Sequence, residues 1–68
     1  MERQPVKSSS IKSIGYDQAA KKMHIEFASG AVYEYPDIER HEHAALVNAP
    51  SVGAHFSKNI RPKRCKIV

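Results

Sequence analysis

From Met23 to Phe27 apolar and polar side chains alternate, which is the period of a strand with one buried face. A second extended run, Ala31 to Tyr35, follows after Ala28-Ser29-Gly30, so residues 22–36 read as a hairpin. Its register follows from what each pairing would bury. A two-residue Ser29-Gly30 turn would set Ile25 against Glu34 and place a carboxylate on the apolar face. A three-residue loop with Gly30 in the left-handed conformation instead sets Phe27 against Ala31, Ile25 against Tyr33 and Met23 against Tyr35. The longer loop is the expectation. Upstream, Ile11 to Tyr16 is rich in β-branched and aromatic residues and reads as a further strand, with Gly15 marking a bulge or a close backbone approach. Asp17 to Lys21 is a polar connection.

Downstream the period changes. Ile38, Ala45, Leu46 and Ala49 fall on one helical stripe with Val47 at its margin, after a start at Asp37 or the next residue and a first turn carrying Glu39. Ala49-Pro50 ends this helix, Ser51 caps a second, and Val52, Phe56 and Ile60 repeat at i, i+4 and i+8 until Pro62 stops it. The expected fold is therefore α+β: a three-stranded, mostly antiparallel sheet of residues 10–36 covered by helices at 38–49 and 51–61. Residues 1–8, with Pro5 and the start of the Ser8-Ser9-Ser10 run, are expected to be disordered, the domain to span 9–61, and 62–68 to form a frayed basic tail.

A chain of 68 residues has room for one small domain, and its single cysteine, Cys65, can close no internal disulfide. No run is long enough to span a bilayer and the first residues hold no apolar signal core, so a cytoplasmic, monomeric protein is expected. The net charge of +4 is unevenly spread. Residues 1–15 carry a net +2 from Arg3, Lys7 and Lys12 against Glu2. Residues 16–57 carry a net −3, from six acids against Lys21, Lys22 and Arg40. Lys58, Arg61, Lys63, Arg64 and Lys66 then give +5 with no acid. A polyanion would meet the C-terminal segment first, joined by Lys12 and Lys7 if the fold brings the ends together. The plain alternative is a solvated basic tail.

The candidate chemistry is that of binding. Lys12, Lys58, Arg61, Lys63 and Arg64 are the long cationic donors suited to phosphate contacts, although Arg61 could equally cap the second helix or pair with Glu42. Tyr33 and Tyr35 share one strand face, spaced either to stack bases or to pack in the core. His24, His41, His43 and His55 show no convergent metal spacing; His41 and His43 point to different faces of one helix. No nucleophile elbow or Gly-rich phosphate loop occurs, and Cys65 has no ordered base beside it, so neither an enzyme nor a cofactor is expected.

In order along the chain, Ser8 to Asp17, Ile25 to Gly30, Tyr33-Glu34-Tyr35, Ser51-Val52-Gly53-Ala54-His55-Phe56 and Asn59-Ile60-Arg61 resemble the KTSC family. The likeness covers about residues 8–61. Its marks are the Tyr-x-Tyr pair and the Ser-x-Gly-x-x-Phe element followed by Ile-Arg, met here by Ser51, Gly53, Phe56, Ile60 and Arg61. Glu39, where the family often has proline, and Pro62-Lys63-Arg64-Cys65, in place of a more aromatic ending, depart from it. The resemblance implies a domain found at the C-terminus of some lysyl-tRNA synthetases and as stand-alone bacterial or phage proteins, with RNA or tRNA as partner. The rival expectation is a protein-interaction module that uses a sheet edge or the acidic first helix. A DNA-binding helix-turn-helix ranks last, because the Ala49-Pro50 connection is tight and the first helix acidic.

Overall fold

The computed structural model describes residues 2–68. Its centre is the hairpin, strand β3 (Lys22–Phe27) and strand β4 (Val32–Tyr35), with the register expected: Met23 pairs with Tyr35 and Ile25 with Tyr33. The Phe27 N–H donates to the Ala31 carbonyl at 2.9 Å, and Gly30, at φ +96°, closes the three-residue loop by donating to the Phe27 carbonyl at 2.8 Å. Strand β2 (Ile11–Asp17) pairs antiparallel with β3.

The irregularity in β2 lies at Lys12 and not at Gly15. Ile11 pairs with Phe27 and Ser13 with Glu26, so Lys12 is an inserted residue. The physical reason is visible in the spacing. Ile11 and Ile14 are three apart, and both can face the core, as they do at 1% exposure, only if one residue between them is left out of the alternation. Ser13 then turns to the opposite face, where its hydroxyl donates to Glu26 Oε1 at 2.8 Å.

The sheet has five strands, not three, in the order β1-β2-β3-β4-β5. The segments expected to hang free supply the extra two. Strand β1 (Arg3–Pro5) pairs with Ser13 to Gly15 of β2, and strand β5 (Lys66–Ile67) pairs with Tyr33 and Glu34 of β4. Both are short and exposed, and both lie at edges, where a proline such as Pro5 removes no central ladder bond.

Between β4 and β5 the chain crosses the apolar face. Asp37 takes a left-handed φ of 59°, so the first helix starts later than expected: α1 spans Arg40–Val47 with Glu39 as N-cap, and Glu42 Oε1 accepts from the Glu39 N–H at 2.9 Å. Ile38 and Leu46 are fully buried, but Ala45, expected on the same stripe, is exposed, because the later start rotates His43, Leu46 and Val47 toward the sheet. The second helix, α2 (Val52–His55), is capped by Ser51 and runs into a π-helical turn, Phe56–Ile60, where the Arg61 N–H donates to the Phe56 carbonyl five residues back at 2.8 Å. Val52, Phe56 and Ile60 all enter the core, as their spacing predicts. Among the described residues no helix is long and apolar enough to cross a membrane.

Candidate nucleic-acid interface

The Phe27–Ala31 pair sets the site up. Ala31 beside a phenylalanine leaves space at the end of the hairpin, and the helices do not fill it. The result is an apolar cleft of about 450 Å³ at the sheet–helix junction, walled by Phe27, Tyr33, Tyr35 and Phe56, with Arg61 and serines at its rim. The rings brace one another edge to face: Phe27 with Tyr33 at 5.4 Å, Phe27 with Phe56 at 5.3 Å, and Tyr35 with Phe56 at 5.9 Å between centroids. Tyr33 and Tyr35 share the inner face but differ in access. Tyr35 is a core residue at 3% exposure, whereas Tyr33 and Phe27 are half-buried and open onto the cleft. Burial, together with the neighbouring Cys65 thiol, holds the Tyr35 phenol well above its ordinary range.

Of the five cations singled out in the sequence, the cleft gathers Arg61 alone. Lys63 is bound to Glu42 at 2.9 Å, the ion pair that Arg61 was the candidate to make. Lys58 is exposed on the π-helical turn. Lys12 rides the β2 bulge in a hollow with Arg3, Pro5 and Glu26, and Arg64 lies beside Cys65, Lys66 and Glu34. The basic segment is thus divided among the π-helical turn (Lys58), α1 (Lys63) and the β5 end of the sheet (Arg64, Lys66) and is not massed in one patch.

The opposite sheet face carries a charge network of its own. Glu34, only 8% exposed, is met by His24 Nε2 at 2.9 Å, Lys66 at 3.3 Å and Lys22 at 3.8 Å. The His24 hydrogen bond, then Lys66 and Lys22, hold its carboxyl below the usual carboxylate value against the opposing effect of burial. Glu42 is also lowered, first by the Glu39 backbone N–H and then by Lys63. Among the described residues no group of three or more His, Cys, Asp or Glu side chains is placed to hold a metal ion.

The sequence reading passed over Phe27, Phe56, Ser10 and Ser57 as lining residues. The available signal was the small Ala31 opposite Phe27, which says where a wall is missing.

Taken together, these features define a small α+β domain whose antiparallel meander carries two helices on one face and an aromatic cleft at their junction. Residues 7–63 match the model of the KTSC domain, and the chain belongs to that family. It is similar to the crystal structure of a KTSC domain protein from Yersinia pestis, with a TM-score of 0.94 and 34% identity over 98% of this chain and 96% of that one. An uncharacterized protein of Stutzerimonas stutzeri is 38% identical over 93% of this chain and 89% of its own length. A lysine–tRNA ligase of Nostoc punctiforme is 45% identical over 53 residues, 78% of this chain but 9% of the ligase. The chain therefore spans a small part of that enzyme.

Proposed function

We propose that this domain is a non-catalytic module that binds single-stranded RNA, with a base laid on Phe27 and Tyr33 and Arg61 at the rim. The observation that carries the reading is the cleft itself: two accessible rings and a guanidinium around an apolar hollow suit the face of a nucleobase and the phosphates beside it. The occurrence of similar sequences within lysine–tRNA ligases, proteins whose substrate is an RNA, points the same way. Lys58, Lys12 and Arg64 add a sequence-independent attraction from outside the cleft, while Lys63 serves first to hold the tail on α1.

Fluorescence anisotropy of labelled single-stranded RNA, hairpin RNA and duplex DNA at two salt concentrations tests this. Single-stranded RNA is expected to bind tightest and with marked salt sensitivity. Tyr33→Ala and Arg61→Ala are each expected to weaken it about tenfold, the loss of one stacked base or one cationic contact. Equal binding by both variants, or no RNA binding at low salt, would refute the reading.

A second reading, capture of a protein partner at the sheet edge, is favoured by Ile67 and Val68, exposed by 71% and 56% on and beside β5. It predicts an affinity that hardly changes with salt.

A further inference from the structure

A second hollow, of about 370 Å³, adjoins the aromatic cleft, and Ser10 and Ser57 line both. Its character is different. No aromatic ring and no carboxylate lines it; Lys7, Ser8, Ser51 and Gly53 do. Two of its hydroxyls are already held as acceptors. Ser8 Oγ accepts from the Ser10 and Ile11 N–H groups at 3.3 Å, and Ser51 Oγ accepts from the Ala54 N–H at 3.4 Å. Ser8 and Ser10 share one hydroxyl–hydroxyl hydrogen bond at 3.4 Å, which uses the hydrogen of one of them; the other, and Ser51, still have a hydrogen to give. Gly53 keeps the hollow open, since a Cβ there would stand 3.2 Å from both Ser8 Oγ and Ser10 Oγ. Lys7 is exposed and forms no ion pair among the described residues. The hollow thus presents O–H donors and one free ammonium and lacks anionic competition, the complement of a ligand that only accepts hydrogen bonds and carries about one negative charge. A phosphate diester is such a group.

We propose that this hollow seats the backbone phosphate adjoining the base held in the aromatic cleft, so that the two hollows together take one nucleotide unit of single-stranded RNA. The inference rests on the RNA reading above and adds to it a phosphate seat. Ser10 and Ser57, standing between the two hollows, place the phosphate next to the base, as a nucleotide requires. The seat is specific to the diester's single charge and shape and blind to base identity.

The test follows binding of a labelled short oligoadenylate over a series of salt concentrations. Lys7→Ala is expected to weaken binding at low salt by about fivefold and to make the slope of log affinity against log salt shallower by about 0.7, the share of one phosphate contact on a single strand. Gly53→Ala leaves the charge unchanged but pushes on the two serine hydroxyls. It is expected to weaken binding severalfold with the slope preserved, circular dichroism confirming that the variant is folded. Tyr33→Ala reports on the base cleft alone and should lower affinity without altering the slope. If Tyr33→Ala loses binding while Lys7→Ala and Gly53→Ala bind as the parent does, the RNA reading stands and the phosphate seat is overturned. If Lys7→Ala alone weakens binding, the lysine acts as diffuse charge and the seat is likewise overturned. Binding of a phosphoserine peptide but of no RNA by the parent chain would overturn both readings.

Discussion

Asp37, with φ of 59°, turns the chain from β4 into the first helix and delivers the fully buried Ile38 into the core. A left-handed conformation costs an L-residue about 1–2 kcal/mol, and aspartate tolerates it better than most. Asp37→Gly is expected to fall within about 0.5 kcal/mol of the parent in urea unfolding, since relief of the backbone is offset by the freer unfolded chain. Asp37→Val, β-branched at positive φ, should lose about 2 kcal/mol. Equal losses in the two variants would show that the carboxylate, and not the backbone, is what the position needs. At this scale the sequence was only partly legible. Pro36-Asp37 announced a break in the strand, but not that Asp37 would be left-handed and so delay the helix to Arg40. The burial of Glu34 was also hidden, because it depends on His24 and Lys22 from β3 and Lys66 from β5 converging on it from the two strands that flank β4.

Among the elements, the β3–β4 hairpin was readable to the residue, because burying five large apolar groups on one face leaves a single register, and a one-residue slip would bury Glu34 among them. That reading makes Gly30 the pivot. At φ +96° its conformation excludes a Cβ by backbone preference alone, for an added Cβ would meet nothing within 4 Å. Gly30→Ala should therefore lower unfolding free energy by about 1–2 kcal/mol while leaving the spectrum of the folded state unchanged. A neutral result would mean that the loop can adopt another turn. Strands β1 and β5 were not readable for a related reason. Arg-Gln-Pro and Lys-Ile have neither alternation nor length, and their pairing is decided by the edges that β2 and β4 leave open. The aromatic cleft was half legible. The shared face of Tyr33 and Tyr35 followed from the strand period, but the split between a buried Tyr35 and an accessible Tyr33 arises only where Phe56 arrives from the helical side.

For the molecule as a whole, acid should loosen the fold in two steps, and the sign is set by three groups with the same direction of shift. His43 stacks on Tyr16 at 4.6 Å between ring centroids, against the sheet, and burial holds its imidazole below the ordinary 6.5. The unfolded chain therefore takes up a proton there before the folded chain does. Stability present above about pH 6.5 is lost as pH falls from that value toward the folded one. Glu34 and Glu42, held below their ordinary 4.5 by His24 and by the Glu39 backbone N–H respectively, act in the same sense lower down: their contribution is present above 4.5 and is lost as pH falls further, through their folded values. Tyr35 works at the other end. Its raised phenol keeps its proton longer in the folded state than in the unfolded one, so stability declines once pH passes about 10. Thermal unfolding followed by circular dichroism across this range should give a midpoint that falls in both directions from a plateau above neutrality. His43→Phe keeps a ring against Tyr16 but cannot be protonated. It should abolish the fall that begins near pH 6.5 and leave the loss below 4.5 in place. If the parent is flat over that upper window, or the variant keeps the fall, the His43–Tyr16 stack is not the element that senses acid.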